Sequence, residues 1–279
     1  MKKGINPTLE VIVATHKPYV MPTDALYRPL LVGADLFLNT KKDTPSLTLD
    51  NTGKHISAKN HNYSELTGLY WLWQNTVKKD TCPDSFYGLV HYRRFLTSNS
   101  TNQPLTKTEL KKLINLKYEI FLPKKRNYYI ESLYSHYAHT LHIGPLDHTR
   151  KIIAEKYPTF LPEFERLKTR RSAHMFNIFI FKKPLFEEYC EFLFDILFTL
   201  EKSFSQAELA KYDGFHARFF GRISELLLDV FLYTKFPNLD QKPEALELKV
   251  LELEPVNWIE KISNFLLAKF FGKKYHKSC

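Results

Sequence analysis

Three short groups of cations each follow an apolar run. They are His16-Lys17 after Leu9–Ala14, His91-Tyr92-Arg93-Arg94 after Phe86–Val90, and Lys124-Lys125-Arg126 just past Tyr118–Leu122. Guanidinium groups grip phosphate oxygens through paired N–H donors, and lysine adds a compact point charge. Cations converging from three such ends suit a diphosphate, although each group alone also fits a solvated strand end. A hard divalent cation bridging two phosphates needs carboxylate ligands, typically an Asp-x-Asp pair, and the sequence has none. Glu252-x-Glu254 lies in a late alternating segment that reads as a solvated edge strand. Fixed cations can stabilise a departing diphosphate as a metal does. The expectation is therefore a site that needs no divalent metal and no other cofactor.

Attack by an acceptor hydroxyl on carbon bearing a diphosphate calls for a carboxylate base. Asp213, in Lys211-Tyr212-Asp213-Gly214, opens a helix after a polar loop and is the first choice; it would serve equally as an N-cap. Glu225, twelve residues further along that helix, is the second, with an ion pair to Arg222 or Arg218 as its alternative role. Glu65 is the third. Together with Thr67 it stands at another helix start, where both can instead contact a nucleoside. His136, His139 and His142 recur every third residue and invite a metal. With no carboxylate at ligand spacing beside them, a polar face toward substrate or solvent is expected.

These residues need elements to hold them. Leu9–Ala14, Phe86–Val90, Tyr118–Leu122 and Met175–Phe181 are short, β-rich apolar runs and predict buried strands. Ser64–Val77 carries Leu66, Leu69, Tyr70, Trp73 and Val77 at helical spacing, with Ser64 as N-cap. A second stripe runs from Leu185 to Leu200, and a third helix covers about 215–233. Asn127–His148 predicts helix and loop. Strands alternating with helices imply an α/β domain with a mainly parallel sheet. In such sheets ligands bind beyond the carboxyl ends of the strands, where the cations lie.

The 279 residues, 44% hydrophobic and 25% charged, suffice for one substantial core. A formal net charge of +10 points to anionic partners. A nucleic-acid binder would gather its cations along one helix or a known module, and neither is present. A phosphotransferase would show a glycine-rich loop or clustered metal carboxylates, also absent. Cys82, Cys190 and Cys279 are widely spaced and predict reduced thiols. The N-terminus lacks the apolar core of a signal peptide, and no apolar run approaches the ~20 residues of a membrane span. A cytoplasmic protein is expected.

The segments 13–18, 60–73, 88–95, 122–129 and 219–225 resemble a bacterial family long labelled a domain of unknown function. Their cores are Val90-His91-Tyr92-Arg93-Arg94-Phe95 and Gly68-Leu69-Tyr70-Trp71-Leu72-Trp73. That family occurs in capsule, exopolysaccharide and O-antigen gene clusters and includes galactofuranosyltransferases. The resemblance covers roughly residues 9–235. It implies a GT-A-like glycosyltransferase domain over 1–250, a nucleotide-sugar donor such as UDP-galactofuranose, and a glycan or lipid-linked acceptor. It also implies inverting chemistry. A non-catalytic assembly scaffold is the alternative.

The remaining 251–279 predict a helical C-terminal extension. Trp258, Ile262, Phe265, Leu266 and Phe270 share one face, among Lys261, Lys269, Lys273, Lys274 and Lys277. A basic amphipathic helix of this kind lies in the bilayer interface. Peripheral contact with anionic lipid at the inner face of the cytoplasmic membrane is the expectation; packing on the protein's own core is the alternative.

Overall fold

The apolar run Leu9–Thr15 forms β1, whose Val11, Ile12 and Val13 are fully buried. A strand covered on both faces has no polar alternation, which is why it reads as a continuous hydrophobic run. The computed structural model describes residues 6–17, 19–37, 47–98, 102–212, 214 and 216–254. Asp213 and the whole of 255–279, including the amphipathic face expected there, lie outside the described residues. The described residues divide into two compact units: those within 6–124, 176–191 and 238–253 form one, and those within 125–175 and 192–237, with Glu254, the other.

The first unit contains an eight-stranded sheet. Its strands are β1, β2 (Tyr27–Leu31), β3 (Thr48–Leu49), β4 (Phe86–His91), β5 (Arg94–Thr97), β6 (Ile120–Pro123), β9 (Phe179–Lys182) and β10 (Ala245–Glu252), in the order β3-β2-β1-β4-β5-β10-β6-β9. β1, β2, β3 and β4 are parallel neighbours, with Ala14 opposite His91. The rest is mixed: β4 with β5, β5 with β10, and β9 with both β4 and β6 are antiparallel, while β6 with β10 is parallel. Because β9 returns to β4, the strands β4, β5, β10, β6 and β9 close into a ring. The expected mainly parallel sheet is thus corrected to a mixed one. Glu252 likewise does not lie on an edge strand: β10 is interior, and its alternation reflects a strand inside the ring.

Closure depends on Gly88. A Cβ there would stand 2.5 Å from the Phe179 carbonyl oxygen, closer than real contacts allow. Helices α1 (Asn60–Tyr63), α2 (Leu66–Asn75) and α3 (Lys107–Asn115) belong to this unit, α3 opening on a Thr106/Glu109 capping box. Ser64 is not the N-cap expected of it. It takes φ 51° between α1 and α2, and its carbonyl accepts from the Asn60 side chain at 2.7 Å. The short helix α1 was illegible because Asn60-His61-Asn62 is polar.

The second unit is mostly helical: α4 (Leu133–Thr140), α5 (Gly144–Lys156), α6 (Leu161–Glu165), the later part of α7 (Lys183–Lys202), α8 (Gln206–Leu209) and α9 (Phe219–Lys235). β7 (Arg126–Asn127) and β8 (Ser172–Ala173) add a small antiparallel ribbon. Phe160 stacks on Phe192 at 4.6 Å, and Phe192 meets Phe231 at 5.4 Å. α9 is buried nearly all round, so its polar residues must find partners inside. Asp229 does so by accepting from His174 Nδ1 at 2.5 Å.

Candidate functional site

β1 and β4 run side by side, so His16-Lys17 and His91–Arg94 leave the sheet at the same rim. The turn between β4 and β5 presents the buried ring of Tyr92 there. Around that ring stand His16 at 5.3 Å, Tyr19 at 4.8 Å, Lys17 Nζ at 5.3 Å and the Arg93 guanidinium at 5.2 Å. Aromatic faces attract cations, and here one ring holds several at the carboxyl end of two parallel strands. Arg94 lies over the Phe176 ring at 4.4 Å, with Nε 3.6 Å from Glu252 at the end of β10. The first two cation groups foreseen in the sequence are therefore one cluster.

The third group is divided between the units. β6 runs in the same direction as β4, and Lys124 follows it, its N–H donating to the Leu248 carbonyl at 2.8 Å. Lys125 and Arg126 belong to the second unit, where they lie over Tyr233 at 5.5 Å and Tyr128 at 5.3 Å.

His91 Nε2 is 2.6 Å from the Phe176 carbonyl oxygen. A carbonyl only accepts, so Nε2 carries the hydrogen. Burial lowers the proton affinity of the ring; Glu65 opposes that, and Arg94 and Arg93 reinforce it. A neutral imidazole follows. Glu65 Oε1 accepts from the Asn177 side-chain amide at 2.6 Å. Phe176 and Asn177 have φ 77° and 53°, two successive non-glycine residues in the left-handed region. The expected strand from Met175 therefore starts only at Phe179. The Asn within that apolar run was the one local sign of a break.

The carboxylate candidates separate. Glu65 belongs to the first unit, close to His91 and bonded to Asn177. Glu225 is buried in α9 of the second unit, 3.5 Å from Arg222, the ion pair offered as its alternative. Thr67 is fully buried; its hydroxyl donates to the Ser64 carbonyl at 3.2 Å and accepts from Asn60 at 3.1 Å, which commits it to the α1–α2 junction.

The histidines at 136 and 139 have a carboxylate that spacing alone concealed. Buried Glu131 accepts from His136 Nδ1 at 2.8 Å and His139 Nδ1 at 2.7 Å, because the turn before α4 folds it back over the helix. His142 lies past the end of α4, near Tyr212 and His216. Among the described residues, no three His, Cys, Asp or Glu side chains are grouped to hold a metal.

A family model described as a domain of unknown function, DUF4422, matches residues 10–236. No curated protein matches the sequence. A solved structure titled as the WbbM bifunctional glycosyltransferase, in its apo form, is similar at a TM-score of 0.71 and 25% identity. That similarity covers 89% of this chain and 46% of the other, so this chain corresponds to about half of that protein. The chain has an α/β glycosyltransferase-like fold.

Proposed function

The chain belongs to the DUF4422 family, and we propose that it is a glycosyltransferase using a nucleotide-diphosphate sugar. The observation that carries this is the cluster of Lys17, Arg93 and Arg94 with His16 and His91 around Tyr92 and Phe176 at one strand rim. The similarity to a glycosyltransferase structure supports the same reading. The parallel β3-β2-β1-β4 segment favours a GT-A type of fold. Arg93 and Arg94 take the diphosphate oxygens, and their fixed charges offset the negative charge that grows as the sugar departs. Lys17 and Lys124 add positive charge from neighbouring strand ends.

Glu65 serves as the base that removes the acceptor hydroxyl proton, giving inversion at the sugar carbon. It is preferred to Glu225, whose carboxylate is paired with Arg222; Asp213, the first choice from the sequence, lies outside the described residues. The donor is UDP-linked, with galactofuranose as the sugar. The acceptor is a glycan or lipid-linked oligosaccharide of a bacterial capsule or O-antigen, met at the inner face of the cytoplasmic membrane through the C-terminal tail. No helix among the described residues is long and apolar enough to cross a membrane.

The test is a binding screen of UDP-, GDP-, TDP- and CMP-sugars, with UDP-galactofuranose included, followed by transfer to a lipid-linked acceptor. UDP-sugar binding that is lost in Arg93→Ala is the expected result. A purified, folded protein that binds no nucleotide sugar refutes the proposal.

A further inference from the structure

Phe176 and Asn177 touch three of the groups just assigned. The Asn177 amide donates to Glu65 Oε1 at 2.6 Å, the Phe176 carbonyl accepts from His91 Nε2 at 2.6 Å, and the Phe176 ring lies under the Arg94 guanidinium at 4.4 Å. The two residues reach these positions only by adopting left-handed backbone, at φ 77° and 53°. Side chains other than glycine adopt that region at a cost, and an aromatic residue rarely does. Strain of this kind persists where surrounding structure fixes it, and it is characteristic of functional sites. Asn177 is 1% exposed, so its amide is shielded from water and its hydrogen bond to a carboxylate is a strong one.

We infer that the Phe176-Asn177 turn is a positioning element, with Asn177 the residue that orients Glu65 and the Phe176 carbonyl the group that fixes the His91 tautomer. This rests on the proposed glycosyl transfer with Glu65 as base. Held by one oxygen, the Glu65 carboxylate has its rotation restricted and its other oxygen left to receive a proton. Phe176 acts on the opposite side of the reaction by supporting the guanidinium assigned to the diphosphate. One strained turn thereby sets base and phosphate-binding groups relative to each other. Glu65, Arg94 and Arg93 all act electrostatically on the buried His91 ring beside this turn.

Substitutions at Asn177 and an NMR measurement test this. Loss of a hydrogen bond to a charged group corresponds to roughly a 10- to 100-fold effect. Asn177→Ala is expected to lower kcat by about that factor, with the donor KM changed by about twofold or less. Asn177→Gly, whose backbone accepts positive φ without strain, is expected to lose as much activity while melting no lower than Asn177→Ala. That separates the amide contact from the fold. Asn177→Asp places a second carboxyl beside Glu65. Two carboxyls at that distance share a proton, so the acid limb of the kcat profile should move to higher pH.

Independently of any reaction, the Asn177 side-chain amide protons should show an NMR shift displaced from free amides that returns to the ordinary range in Glu65→Gln. An undisplaced signal, or an Asn177→Gly enzyme with wild-type kcat, overturns the positioning role. A displaced signal in a protein that transfers no sugar leaves the hold on Glu65 standing and rejects the glycosyltransferase proposal instead.

Discussion

Replacing Arg94 by alanine removes a guanidinium whose partners in the protein include Glu252 and the Phe176 ring, and which has one assigned partner in the substrate. The ion pair to Glu252 spans 3.6 Å between side chains 20% and 30% exposed, so water screens it and its loss costs about 1 kcal/mol or less. The contact with the Phe176 ring at 4.4 Å is worth about 0.5–1 kcal/mol. These two contacts together contribute about 1–2 kcal/mol to folding stability, too little for their loss to unfold a stable domain at room temperature. A preorganised cation at a departing diphosphate contributes about 2–4 kcal/mol to the transition state, or roughly 30- to 1000-fold in kcat/KM. Arg94→Lys should recover little of this, because an ammonium cannot reproduce the paired N–H geometry. Urea unfolding and sugar-transfer kinetics on the same preparations measure the two effects side by side. Undiminished turnover in Arg94→Ala, or a loss no greater than the fraction unfolded, refutes the assignment.

Acidification should destabilise the fold through His91. Burial lowers its proton affinity below the ordinary value near 6.5, so the unfolded chain takes up the proton first as pH falls. The native state is free of this penalty above about pH 6.5 and loses stability below it. His136, also lowered by burial, acts in the same direction. Unfolding free energies at pH 7 and 5.5 should show a smaller decline for His91→Gln than for the native protein. Transfer activity should persist in EDTA, since the sequence lacks Asp-x-Asp and cations occupy the strand ends; loss with rescue by manganese or magnesium reverses that expectation. Truncation after Glu254 should release the protein from anionic liposomes while donor hydrolysis continues, whereas an insoluble truncated chain would assign the tail to the core.

The elements that the sequence displayed were those whose signal is local. β1 and β4 are unbroken apolar runs, and α7 and α9 carry long stripes, so each is visible within a window of its own length. The cations ending β1 and β4 were legible for the same reason, and parallel pairing then put them together. What stayed hidden depends on residues far apart in the chain. β10 joins the ring between β5 and β6, more than a hundred residues away, and its alternation resembles an edge strand until its neighbours are known. Asn177 reaches Glu65 across 112 residues, which no spacing rule reveals. Glu131 was overlooked for the opposite reason: it is near in sequence, but a turn rather than a helical repeat brings it to His136 and His139. Ser64 misled because its residue type favours capping, while the Asn60 side chain bonded to its carbonyl holds it in a different backbone region.

Binding of the donor diphosphate at the rim beyond β1 and β4 underlies the proposed transfer. It is tested most directly by a structure of the protein with UDP. Phosphate oxygens should lie within hydrogen-bond distance of Arg93 or Arg94, with Lys17 near by; UDP bound without a contact to either arginine would rule the site out.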